Sequence, residues 1–172
     1  DGVLVAAGRR CYPDEFLHGV VTLETTDRGQ LVVDEHFCTS IHHIYAIGDI
    51  ALGCERLAHA ASAAGINAVC HLAQQPPEMD MRAVPCCIYS KPEIATVGLS
   101  ADEAKAQGIA VKTGKYLMSG NGKSVIEMAD RGFIKLVCEQ DSGKLLGAQL
   151  MCCRATDMVN ELSLAIAQGL TA

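Results

Sequence analysis

Thr39–Asp49, TSIHHIYAIGD, followed after a short loop by Leu57–Gly65, LAHAASAAG, constrains this chain more than any other stretch. Ile44, Tyr45, Ala46 and Ile47 form a short apolar run that ends at Gly48-Asp49. The pattern predicts a buried strand delivering a carboxylate to its C-terminal edge. In an open α/β sheet that edge is where ligands bind. Asp49 can accept hydrogen bonds from a polyol or sugar hydroxyl, and Gly48 permits close approach to the backbone. The second segment lacks bulk where a helix N-terminus would press on a planar group. A Gly-Asp pair alone is an ordinary turn, and an Ala-rich run alone is an ordinary helix. Only the two together point to a site.

Composition narrows the partners. A net charge of −6, with no run of Lys or Arg, argues against a nucleic-acid surface. The apolar stretches are broken by Gly, His, Asn or Glu well short of the roughly 18 residues that a membrane span needs. The opening residues, DGVLVAAGRR, have no basic lead-in and no cleavage-site pattern, and they start without Met on a strand-like run. The chain is therefore expected to begin inside a domain. Its nine cysteines include no Cys-x-x-Cys pair, and several sit in apolar runs as small hydrophobes. They are expected to be reduced thiols in a cytoplasmic protein. The vicinal pairs Cys86-Cys87 and Cys152-Cys153 would point to opposite faces of a strand, and no metal site is expected.

In chain order, Val3–Ala7 is predicted to be a short buried strand before Gly8-Arg9-Arg10, Asp27–Gly29 a turn and Leu31–Val33 a short strand. A helix is predicted over residues 55–75, starting near Arg56 or Leu57, with Ile66, Val69 and Leu72 at helical spacing in its second half. Gln74–Asp80, QQPPEMD, is the Pro-rich break and the expected domain boundary. Beyond it, Cys86–Ser90 and Ile94–Leu99 read as strands. Ser100 and Glu103 form a capping box for a helix to Gln107, closed by Gly108. Val111–Met118 alternates like a strand. Phe133–Cys138 and Leu145–Leu150 read as a hairpin around Asp141–Gly143. Ala155–Gln168 is predicted to be an amphipathic helix with Met158, Val159, Leu162, Ala165 and Ile166 on one side, stopped by Gly169.

Thr39, five residues, Tyr-Ala-Ile-Gly-Asp, then Leu-Ala-His-Ala-Ala, resembles the second flavin-contacting motif of the pyridine nucleotide–disulfide oxidoreductases. PEIATVGLS, RGFIKLV and LLGAQL, in that order, resemble the dimerisation domain of the same family, and the dihydrolipoamide-oxidising branch is the nearest resemblance. The implied fold is α+β: an antiparallel sheet with flanking helices, plus a partial α/β flavin-domain remnant. The implied domains are a partial FAD-binding remnant over 1–75, a linker over 76–82 and a dimerisation domain over 83–172 with its C-terminal end truncated. The implied FAD contacts are Gly48, Asp49, Leu57, Ala58 and His59. The helix N-terminus would face the pyrimidine side of the flavin, and His59 would position rather than react. The family has Pro-Asn where this chain has Cys11-Tyr12.

The family's other parts are not in this sequence. There is no Gly-x-Gly-x-x-Gly and no pair of cysteines with four residues between them. The family's His-Pro and Glu follow the final helix, whereas this chain stops at Ala172, with Thr171 reading as a helix N-cap. No catalytic residue is therefore expected, and no retained flavin. The parent enzyme would use FAD and NAD and act on a lipoyl-bearing protein as a homodimer. A mercuric or glutathione reductase shares these motifs, and a stand-alone dimerisation module of a different class competes with both. Gly122-Lys123-Ser124 ends like a phosphate-binding loop, but Leu117 stands where the first Gly is needed, so a polar loop is expected there. His42-His43 beside Cys38 read as surface histidines.

Overall fold

A computed structural model describes residues 2–13, 19–129 and 131–172. The chain divides into two compact units, residues 1–79 and 80–172. The second is the more regular. Its five strands are β1 (Cys86–Ile88), β2 (Glu93–Gly98), β3 (Val111–Leu117), β4 (Phe133–Glu139) and β5 (Leu145–Cys152), in the spatial order β1-β2-β5-β4-β3. Every neighbouring pair is antiparallel. The expected antiparallel sheet and flanking helices are therefore observed.

Period-two alternation explains which face is covered. Ala95, Val97, Ala148, Leu150 and Cys152 point to one side and pack with Ala155, Val159 and Ile166 of the helix Ala155–Ala167. The predicted apolar side of that helix (Met158, Val159, Leu162, Ala165, Ile166) all joins this core. The helix opens on Arg154, which is left-handed (φ 62°) and caps nothing with its side chain. Glu93 does the capping instead: its carboxylate accepts from the Thr156 hydroxyl (2.6 Å) and amide (3.0 Å). The capping box at Ser100 is present in full and opens the helix Ala101–Ala106. The hairpin turn is as predicted, with a register shift at Val137/Cys138.

One reading of this unit needs correction. The loop at Gly122-Lys123-Ser124 contains a one-turn helix, Gly122–Ile126, because the Asn121 side chain accepts from the Ser124 amide at 2.9 Å. Thr171 forms an antiparallel bridge with Lys144.

The first unit contains one long helix, Ala58–Leu72, within the predicted span. Its buried face is Ala60, Ala63, Ala64, Asn67 and Ala68, whereas Ile66, Val69 and Leu72 are exposed. Small residues thus form the packing stripe, the reverse of what hydrophobicity alone suggests. Asn67 closes the helix onto the following segment, donating to the Met79 carbonyl (2.7 Å) and accepting its amide (2.9 Å). A separate small core is made of Leu23, Leu31, Ala46 and Ala51.

The strands predicted in this unit are not formed. Val3, Leu4 and Val5 are 93%, 90% and 83% exposed and unpaired among the described residues. Leu31 makes only isolated bridges, to Thr25 and Ala51, and Tyr45 bridges only Cys38. A strand exists through its hydrogen-bonded neighbours. An apolar run supplies the propensity and not the partner.

Candidate functional site

Thr39 sets the geometry of the stretch that ends at Asp49. Its hydroxyl donates to the Ile44 carbonyl (2.8 Å) and accepts the Ile41 amide (3.2 Å), pinning the turn before the apolar run. The Ala46 amide then bonds to the Phe37 carbonyl at 3.0 Å, which aims Ile47 and Gly48 at the helix. Gly48–Ile50 is a single 3-10 turn rather than the end of a strand. Gly48 is buried with φ +70°, and a Cβ there would lie 3.1 Å from the Ala61 Cβ. Glycine at 48 therefore answers both a left-handed backbone and the close approach of the helix. Gly65, inside the helix, answers a close approach alone: a Cβ there would lie 3.1 Å from the Ile47 side chain.

Asp49 projects from this turn with its side chain half exposed. Arg9 Nη1 lies 3.1 Å from its carboxylate, the Cys11 thiol donates to its carbonyl (3.3 Å), and Arg56 donates to the Arg9 carbonyl (3.3 Å). Arg9 and Arg56 were not among the predicted site residues. The Gly8-Arg9-Arg10 ending of the first apolar run was the available signal, but the pairing joins residues forty apart in sequence. An open cleft of about 520 Å³ adjoins, lined by Ala7, Gly8, Arg9, Arg10, Tyr12 and Arg28.

The helix N-terminus is the second component. Leu57 is its N-cap in extended conformation, with no side-chain cap and no acidic residue in the first turn. The Leu57 amide bonds to the Glu55 carbonyl at 2.9 Å, and the positive end of the helix dipole favours a negatively charged group there. Leu57 is half-buried, and Ala58 and His59 are exposed. The 3-10 turn and the helix are in contact, which brings Gly48 and Asp49 near the helix. Burial pushes the Cys54 thiol up, against a lowering by the Gly48 backbone, so it is a poor nucleophile. All nine cysteines are free thiols.

The site therefore combines a carboxylate acceptor from Asp49 with the positive end of a helix dipole. It suits a molecule with hydroxyls at one point and negative charge at another. Among the described residues no group of three His, Cys, Asp or Glu can hold a metal ion, and no helix is long and apolar enough to cross a membrane.

Known proteins resemble this chain in both of its halves. Residues 84–172 match the pyridine nucleotide-disulphide oxidoreductase dimerisation domain, and residues 1–65 match the pyridine nucleotide-disulphide oxidoreductase domain. The dihydrolipoyl dehydrogenase of Bacillus subtilis is 40% identical over 172 residues, covering 100% of this chain and 36% of that protein. That of Halobacterium salinarum is 40% identical over 169 residues, covering 98% of this chain and 35% of that protein. The chain thus spans about a third of the length of these relatives. Among solved structures, LpdA from Mycobacterium tuberculosis superposes with a TM-score of 0.75 at 25% identity, over 89% of this chain and 34% of that one. The HOCl-induced flavoprotein disulfide reductase RclA from Escherichia coli shares the fold, with a TM-score of 0.67 at 21% identity over 87% of this chain and 34% of that one. With one family matched in both halves, the chain belongs to the pyridine nucleotide-disulphide oxidoreductases.

Proposed function

We propose that these residues serve a dihydrolipoamide dehydrogenase, an FAD-dependent enzyme that oxidises dihydrolipoamide on a lipoyl-bearing protein and reduces NAD. The observation that carries this reading is the 40% identity to dihydrolipoyl dehydrogenases across the whole chain. In this reading residues 1–75 belong to the FAD-binding domain, 76–82 link, and 83–172 form the dimerisation domain of a homodimer. Gly48, Asp49, Leu57, Ala58 and His59 hold the flavin: Asp49 accepts a hydrogen bond from the polyol chain, and the helix start at Leu57–His59 contacts it mainly through backbone, the helix dipole favouring negative charge there. The bound flavin supplies the redox chemistry. None of the 172 residues is the reacting group, and their work is orientation, electrostatics and assembly.

The chimera in which this chain replaces the matching stretch of the Bacillus subtilis relative, with that protein's residues kept on both sides, tests the reading. It is expected to reduce NAD with dihydrolipoamide and to lose bound flavin on Asp49→Ala. Turnover of glutathione disulfide or mercuric ion in preference to the lipoyl substrate would overturn the assignment. The 172-residue chain alone, mixed with FAD and desalted, is expected to keep no flavin. A retained and shifted visible spectrum would show that the dinucleotide grip is not needed.

A further inference from the structure

The face of the sheet turned away from Ala155–Ala167 carries a pattern that the flavin reading does not use. Following the strand register, Ile88, Ile94, Met151, Phe133 and Leu117 stand opposite one another across all five strands. They form one apolar row at right angles to the strands. Its ends, Ile88 and Leu117, are 52% and 55% exposed. Four gaps between strands make the row roughly 19 Å long. The neighbouring row on the same face is Cys86, Thr96, Gln149, Lys135 and Lys115. Lys115 and Lys135 face each other directly across β3 and β4. Like charges in that position destabilise a sheet. Among the described residues neither lysine is in an ion pair; Lys115 Nζ rests 4.3 Å from the centre of the Phe133 ring.

We propose that this open face is a docking surface for an acidic amphipathic helix of a partner protein. An apolar stripe of about 13 helical residues matches the length of the row. Carboxylates flanking that stripe reach Lys115 and Lys135 and relieve their mutual repulsion. Charge sets the choice of occupant. The row supplies two cations and no anion, so a neutral or basic helix would bury the apolar row and leave the lysines unpaired.

The test uses the full chain and two fluorescein-labelled helical peptides, each with the same Leu stripe, flanked by Glu in one and by Lys in the other. Anisotropy titration is expected to show the Glu peptide binding about tenfold or more tightly than the Lys peptide, with the advantage shrinking as salt is raised. Lys115→Glu combined with Lys135→Glu is expected to reverse the preference. Leu117→Ser, at the exposed end of the row, is expected to weaken both peptides while leaving the circular dichroism unchanged. Equal affinity for the two peptides, or a preference indifferent to the charge reversal, would overturn the proposal. So would light scattering that showed Leu117→Ser dissociating a self-dimer, since the face would then belong to a second copy.

Discussion

Glu93 holds the start of the last helix from a strand remote in sequence, and this makes it one of the carboxylates, with Asp80, Glu103 and Glu127, through which acid reaches the sheet unit. Hydrogen bonding to the Thr156 hydroxyl first, and to the Thr156 amide, lowers the Glu93 pKa from its ordinary 4.5, with burial opposing. A carboxylate whose folded pKa is depressed contributes stability above its unfolded value and loses it as pH falls through the folded one. Thermal melts from pH 6 to pH 3 should therefore show a fall in midpoint beginning below about pH 4.5. Glu93→Gln should start lower and fall less. Parallel curves for the two proteins would rule out this cap as an acid-sensitive contact. The glycines of the sheet sort at the same scale. A Cβ on Gly147 would sit 2.0 Å from the Leu99 carbonyl oxygen, while one on Gly114 would meet nothing within 4 Å. Gly147→Ala is expected to cost about 1–3 kcal/mol or more in urea unfolding. Gly114→Ala is expected to be neutral or to stabilise by up to about 1 kcal/mol.

Among the elements, β5 is the one the sheet unit cannot lose, because it pairs with both β2 and β4 and faces the helix Ala155–Ala167. Leu150 on it is 1% exposed. Leu150→Ala should destabilise by about 2–5 kcal/mol in urea unfolding, and a loss under ~1 kcal/mol would mean the core collapses around the gap. These elements were readable in the sequence because their causes are local: alternation in β2 and β5, the Ser100–Glu103 capping box, the heptad-like side of Ala155–Ala167. Asn121 is a local cap of the same kind, its side chain accepting from the Ser124 amide three residues on. Residues 3–7 and 44–47 had strand-like composition but lack the paired neighbours that define a strand. The same distinction divides the site. Gly48, Asp49 and the helix start lie within one stretch and announce themselves. Arg9 reaches the Asp49 carboxylate, and Arg56 the Arg9 carbonyl, only through the folded path, and nothing in local spacing signals that meeting.

For the molecule as a whole, charge and packing separate between the two units. Residues 1–79 hold ten of the 20 acidic residues and only four of the 14 basic ones, so the net charge of −6 resides there. Residues 80–172 are balanced and contain the larger core. Electrostatic repulsion between copies therefore acts through the first unit, and self-association through the second is not opposed by net charge. A chain of 18.2 kDa associating through a two-fold, self-complementary surface of the second unit should have twice that mass in light scattering. Raising salt should screen the repulsion between first units and shift the equilibrium further toward the dimer. A truncation to residues 80–172 should dimerise with little dependence on salt. Monomers at every concentration and ionic strength, for the whole chain and for the truncation alike, would mean that this chain's second unit does not assemble by itself, and the homodimer would then have to be closed by surfaces outside it.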